Sequence, residues 1–319
     1  MTTEANYPAG ALFVLCPGQG AQAVGMGKEL CSVNPTARET FETANRVLGF
    51  DLTSICFNGP EDRLNQTDVS QPAIYVTGVA CFRAASEAGT IDPAMVTAYA
   101  GLSLGEYTAL HLAGAFDFEE GLKLVAARGR YMQEAAVSVP SGMVAIIGAD
   151  RQEVSAICEQ SAGGEVLVAA NFNAPGQIVL SGSKGACERV LKAGEAPGAG
   201  FRGTALKVAG AFHSPLMQPA ADRMKVELDC AAIGRPEKKV FSNVTAGPHG
   251  DVDRIKELLV QQIVSPVLWE DTMVAIMGVT GARFVELAPG RTLAGLAKRI
   301  NRKVAIESLE KAESLRKSG

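Results

Sequence analysis

The 319-residue chain holds one tryptophan, three histidines and seven cysteines. The cysteines, at positions 16, 31, 56, 81, 158, 187 and 230, are far apart and form no CxxC pair, so no zinc site of the usual spacing is encoded. An odd number of scattered thiols reads as reduced and mostly buried, and only Cys16, beside the Pro17-Gly18-Gln19-Gly20 turn, invites attention as a nucleophile. No apolar run approaches the roughly 20 residues needed to span a bilayer. The first ten residues contain no Lys or Arg, and the apolar run that follows, Ala11 to Cys16, is too short for a signal peptide. Nor is there an excess of positive charge: 30 basic residues against 34 acidic ones leave a net charge of −4, which argues against a nucleic-acid binder. Hydrophobic residues make up 47% of the chain and charged residues 20%, enough for a sizeable core. A soluble, cytoplasmic, globular protein is expected.

Short apolar runs alternate with helical stretches. Ala11–Cys16 and Met95–Ala100 read as buried strands. Ala73–Ala85 reads as a helix with Pro72 at its start. This alternation implies a mostly parallel sheet with helices on both faces. Between 138 and 207 the order becomes strand Gly142–Gly148, helix Arg151–Gln160, strands Val166–Ala170 and Gln177–Ser181, helix Ala186–Lys192, strand Gly203–Val208. That is the β-α-β-β-α-β signature of a ferredoxin-like unit. The expectation is a catalytic core formed by 1–137 and 208–319, with an inserted ferredoxin-like subdomain at 138–207.

Gly101-Leu102-Ser103-Leu104-Gly105 fits G-x-S-x-G. A strand before it and a helix after it supply the sharp turn that pushes a serine hydroxyl outward, with the helix dipole aimed at a developing oxyanion. A serine nucleophile needs a base. His111 lies eight residues along the helix, roughly 12 Å away at 1.5 Å per residue. His249, in Gly247-Pro248-His249-Gly250, reads as an exposed loop side chain. His213, where an apolar run gives way to a loop, remains as the candidate base. On a helical wheel of Phe118–Ala136, Arg130 falls among Glu119, Lys123 and Glu134, whereas Arg128 falls on the margin of the apolar arc. A buried arginine requires an anion; the wheel leaves open whether that is an internal carboxylate or a substrate's. Two nucleotide-binding patterns fail their context. Gly198–Gly203 fits G-x-G-x-x-G but lacks a preceding strand and a following helix, and Gln22 stands where a P-loop would need glycine.

Seven segments occur in register: Pro17–Gln22, Gly101–Tyr107, Arg128–Gln133, Asn171–Gln177, Gly210–Ser214, Ser242–Thr245 and Glu286–Arg291. Together they resemble the malonyl-CoA–acyl carrier protein transacylases of bacterial-type fatty-acid synthesis, from about Leu12 to Ile300. The resemblance implies an α/β-hydrolase-like core with a ferredoxin-like subdomain, and ping-pong transfer of malonyl from malonyl-CoA to the phosphopantetheine thiol of acyl carrier protein. It implies Ser103 as nucleophile and His213 as base in a dyad without an acidic third member, the histidine held by backbone carbonyl groups with Gln262 close by. It further implies the Gln19 and Leu104 amides as oxyanion hole, Arg128 on the malonyl carboxylate, and Phe212 crowding any α-methyl branch, so that Arg128, Gln19, Leu104, Phe212 and Gln262 are the expected substrate-binding residues. No cofactor, metal, nucleic acid or membrane partner is implied, and a monomer is the working expectation. Leu102 departs from the histidine common at that position in the family. The rival readings are an acyltransferase of polyketide assembly, a serine thioesterase or esterase, and a non-catalytic carrier-protein or coenzyme-binding module. The exposed-looking cluster Lys298, Arg299, Arg302 and Lys303 is a candidate docking patch for an acidic carrier protein, or simply a solvated helix face.

Overall fold

A computed structural model describes residues 7–315. Nine strands form two sheets. The first sheet contains β1 (Leu12–Cys16), β2 (Val96–Gly101), β7 (Lys239–Phe241), β8 (Arg283–Leu287) and β9 (Ile306–Leu309), in the order β7-β2-β1-β8-β9, all parallel. The second contains β3 (Ser141–Ile147), β4 (Leu167–Ala174), β5 (Gln177–Ser183) and β6 (Arg202–Ala205), in the antiparallel order β4-β5-β3-β6. With helices Arg151–Ala162 and Lys184–Gly194 between its strands, the second sheet has the ferredoxin-like arrangement.

The parallel sheet is buried on both faces, which is why β1 is an unbroken apolar run. Leu12, Val14 and Cys16 face one core with helices Thr67–Glu87, Gly105–Leu112 and Phe118–Ser138. Phe13 and Leu15 face the other, with Trp269, Met273, Leu293 and Leu296. The burial of Val14, Phe13 and Leu15 is complete.

Local readings shift in three places. Helix Thr67–Glu87 begins six residues before Ala73, so Pro72 lies inside it and not at its start. The cost of an interior proline is accepted because almost the whole helix is buried, and packing outweighs propensity. Strand β4 continues through Asn171-Phe172-Asn173, and Asn171 bridges to Val267 outside the sheet. Strand β6 ends at Ala205, so Val208 is not in the sheet.

Candidate active site

The loops after β1 and β2 leave the carboxyl edge of the parallel sheet side by side, the usual place for a site in such a fold. Their approach needs three glycines. A Cβ on Gly18 would lie 2.2 Å from the Leu102 carbonyl oxygen, one on Gly101 1.9 Å from the Gly105 carbonyl carbon, and one on Gly105 2.1 Å from the Cys16 carbonyl oxygen. Between the last two, Ser103 takes φ 52°, a left-handed conformation that costs a serine strain and presents its hydroxyl above the sheet. Asn243, in the loop after β7, holds the turn at both ends: its Oδ1 accepts from Ser103 N (2.5 Å) and its Nδ2 donates to Gly101 O (2.7 Å).

His213 also has positive φ, 56°, and is 4% exposed. Its Nε2 lies 2.8 Å from Ser103 Oγ, and its Nδ1 lies 2.8 Å from the Gln262 backbone carbonyl. The carbonyl can only accept, so Nδ1 carries hydrogen and Nε2 presents its lone pair to the serine. Burial pushes the imidazole pKa down to about 4, helped by the nearby Arg128 guanidinium and opposed by the Gln262 carbonyl. The ring is therefore an unprotonated base at neutral pH.

Arg128 is buried, 1% exposed, whereas Arg130 is exposed and lies over Tyr131, as the wheel predicts. Among the described residues, no carboxylate contacts Arg128. Its Nη1 donates to Gln71 Oε1 (2.7 Å), and its Nη2 donates to Gln262 Oε1 (2.8 Å) and Ser103 Oγ (3.1 Å). Its Nε is buried without a partner. Burial lowers the guanidinium pKa from its ordinary value. A buried cation held only by neutral groups beside the Ser103 hydroxyl is electrostatically suited to accept an incoming anion.

Gln19, Ser103, Phe212 and His213 line a cavity of about 360 Å³ between the two sheets. The backbone N–H groups of Gln19 and Leu104 have no hydrogen-bond partner among the described residues. Leu102, which replaces a possible histidine, lies on the wall and packs partly against the second core. Asn171, Asn173 and Gln177 of the antiparallel sheet line the opposite wall with Lys207. Asn173 Oδ1 and Gln177 Oε1 are buried and unpartnered.

Two expectations need correction. Gln262 does not line the cavity. Its side chain is fully buried, donating from Nε2 to Ser103 O (3.0 Å) and Glu106 Oε2 (2.7 Å) while accepting from Arg128, so it ties the site together from behind. His249 is not an exposed loop residue: its side chain is inaccessible, with Nε2 2.7 Å from Glu106 Oε1. His111, by contrast, faces the Phe116 carbonyl at 2.9 Å, far from the nucleophile's chemistry. Cys16 is buried and its thiol pKa is driven well above the ordinary range by desolvation, leaving it a poor nucleophile. Lys298, Arg299, Arg302 and Lys303 are exposed at and beyond the end of helix Thr292–Ile300, whose first residue lies on the cavity wall.

Sequence reasoning attached no role to Gln71, Glu106, Asn243, Asn173 or Gln177. All but Gln71 lie in the seven recognisable segments, but the parts of Glu106 and Asn243 depend on contacts between residues more than 100 positions apart, such as Ser103 with Asn243.

The acyl transferase domain model matches residues 12–317. The chain is 41% identical over 285 residues to the malonyl CoA-acyl carrier protein transacylase of Escherichia coli K12, covering 89% of this chain and 91% of that protein. It is 37% identical over 302 residues to that of Bacillus subtilis, covering 94% of each. The solved transacylase of Coxiella burnetii superposes with a TM-score of 0.91 at 40% identity, covering 96% of both chains. A malonyl-transacylase solved in complex with a type II polyketide acyl carrier protein gives 0.88 at 38%, covering 96% of this chain and 97% of that one. With the acyl transferase domain model matching residues 12–317, relatives about 40% identical over most of their length and the same overall architecture, the chain belongs to the malonyl-CoA–acyl carrier protein transacylase family.

Proposed function

We propose that this chain transfers a malonyl group from malonyl-CoA to the phosphopantetheine thiol of an acyl carrier protein, through an ester on Ser103. The observation that carries this is the placement of a single hydroxyl, Ser103 Oγ, within hydrogen-bond reach of both the His213 base and the Arg128 guanidinium.

His213 Nε2 takes the Ser103 proton as Oγ attacks the thioester carbonyl. The Gln19 and Leu104 amides receive the oxyanion of the tetrahedral intermediate, at the start of helix Gly105–Leu112 whose dipole favours it. Collapse expels the coenzyme A thiolate, which takes the proton from His213. In the second half, His213 deprotonates the carrier thiol, the thiolate attacks the ester, and Ser103 leaves with the proton restored. Arg128 holds the malonyl carboxylate throughout. The amides of Asn171, Asn173 and Gln177 face the path of the pantetheine arm, the part that coenzyme A and the carrier protein share. The exposed Lys298–Lys303 cluster offers charge complementary to an acidic carrier.

Supply of malonyl units to fatty-acid synthesis is the favoured setting. The likeness to the polyketide-system transacylase keeps polyketide assembly as the second reading. A hydrolase reading is disfavoured because His213 Nδ1 faces a backbone carbonyl, with no triad acid on it. No described helix is long and apolar enough to cross a membrane, and the free cysteines suit a cytoplasmic location. Residues 138–207 are proposed as the substrate-facing subdomain and the remainder as the catalytic core.

Intact-mass spectrometry after brief exposure to malonyl-CoA is expected to show one malonyl adduct, mapped to the Ser103 peptide and discharged by holo carrier protein. An adduct on Cys16, or rapid release to water without carrier, would refute transfer through Ser103.

A further inference from the structure

Glu106 is fully buried beneath the nucleophile, and all its contacts use the carboxylate as acceptor. Oε2 receives the Asn243 backbone N–H at 2.9 Å and Gln262 Nε2 at 2.7 Å; Oε1 faces His249 Nε2 at 2.7 Å. The histidine is aimed inward by its backbone. The turn after β7 folds back so that His249 N donates to Val240 O (2.8 Å) while Ser242 N donates to Gly247 O (2.8 Å). Its Nδ1 is buried with no partner. Every polar contact of this ring is therefore made to Glu106, with Nε2–H as the donor.

Gln262 sits between this pair and Arg128. Its side-chain amide has two orientations of nearly equal shape. In the one present, Oε1 accepts from Arg128 Nη2 while Nε2 donates to Glu106 Oε2 and Ser103 O. The flipped amide would put N–H against the guanidinium and oxygen against both the carboxylate and the carbonyl, three repulsive contacts in a dry site. Glu106 supplies the one charged acceptor among the three contacts that fix the amide, and Glu106 Oε1 has His249 as its partner.

We propose that His249 and Glu106 are positioning residues for substrate choice: they lock the Gln262 amide, and the amide holds the Arg128 guanidinium where a malonyl carboxylate must dock. The inference rests on the malonyl-transfer reading above. Neither residue touches substrate, so their effect appears in discrimination. Malonyl transfer depends on the aim of Arg128. Acetyl transfer needs only Ser103, His213 and the oxyanion hole, and His213 is held by the Gln262 backbone carbonyl, which an amide flip does not move.

The test is single-turnover acylation by malonyl-CoA and acetyl-CoA in three full-length variants. His249→Met removes the donor at similar volume; His249→Gln keeps an N–H near the Nε2 position; Glu106→Gln replaces the obligate acceptor by an amide that can itself turn. His249→Met is expected to lower malonyl acylation roughly tenfold and acetyl acylation by less than about twofold, with His249→Gln recovering most of the loss. A parallel fall with both substrates, unchanged kinetics, or a His249→Gln no better than His249→Met would overturn the inference. Should His249→Met fail to fold, Glu106→Gln decides: a lowered malonyl-to-acetyl ratio supports the lock and an unchanged ratio sinks it. The two readings fail separately. A wild-type enzyme that malonyl-CoA does not acylate defeats the function, whereas an active wild type whose ratio survives all three substitutions defeats only the lock.

Discussion

Behind the wall of the cavity built by the parallel sheet, the polar groups around Ser103 are paired with one another through Asn243, Gln262, Arg128 and Glu106. On the wall built by the antiparallel sheet, Asn173 Oδ1 and Gln177 Oε1 are buried and have no partner among the described residues. In the proposed reaction the first wall does the chemistry, and its groups must already stand where charge will develop, since reorganising them during reaction would raise the barrier. In the same proposal the second wall receives the pantetheine arm, whose N–H groups would compensate its free acceptors. Behind the first wall, Arg128 Nε is buried with no partner among the described residues, at the residue proposed to bind the malonyl carboxylate.

The sharpest way to break this contrast is Arg128→Ala. Losing a buried, charge-assisted contact costs on the order of 2–5 kcal/mol, so malonyl transfer should fall roughly 30-fold to several thousand-fold. Acetyl transfer should hold steady or rise. The check is kcat/KM for both substrates on a variant shown to be folded by circular dichroism; an equal drop for the two would make Arg128 structural only.

Phe212, 5% exposed and lining the cavity beside His213, tests whether the chemical wall also sets shape. One methyl group is worth about 1–3 kcal/mol in discrimination. Phe212→Ser should therefore relax malonyl-over-methylmalonyl selectivity roughly 10-fold to 100-fold in a competition assay, and an unchanged product ratio would clear the ring of that role.

The dryness of the first wall can be read from pH. His213 is a base only when neutral, and its pKa lies near 4. Acylation rates should stay level from neutral pH down to about 5, then fall roughly tenfold per unit below about 4 as the imidazolium forms. Removing the neighbouring positive charge by Arg128→Met should move that acid limb upward. A wild-type limb at the ordinary histidine value would mean the ring is wet. The same lowered pKa makes a stability contribution present above the unfolded value of about 6.5 and lost as pH falls toward 4.

The smallest effect belongs to the receiving wall. Asn173→Ala removes one acceptor, and a single hydrogen bond contributes about 0.5–1.5 kcal/mol. KM for malonyl-CoA should rise roughly threefold to tenfold while kcat for acylation stays near wild type. A loss in kcat instead would place Asn173 among the chemical groups and erase the distinction between the walls.

Much of the architecture is legible from local pattern. The apolar run at β1 implies a strand buried on both faces, the β-α-β-β-α-β order implies the second sheet, and glycines flanking Ser103 imply a nucleophile turn. The helical wheel separates buried Arg128 from exposed Arg130 because both lie on one regular helix. Pro72 misleads at the same level: the local rule places proline at a helix start, and burial on all sides lets the helix run through it. His249 misleads for a different reason. Its Gly-Pro-His-Gly setting is that of an exposed turn, and nothing in those four residues reveals Glu106, 143 positions earlier, waiting behind the turn.

Local pattern along the chain specified the two-sheet architecture, the glycine-flanked turn at Ser103 and the separation of one interior arginine from its surface neighbour, because each follows from periodicity or turn chemistry within a few residues. Long-range packing set what surrounds them: that His213 leans on a backbone carbonyl, that Arg128 is held by the neutral Gln71 and Gln262 amides, and that Glu106 and His249 close the network from behind. Those contacts join strands and helices far apart in the chain, and hydrogen-bond partners chosen by distance in space leave no mark on the spacing of residues along it.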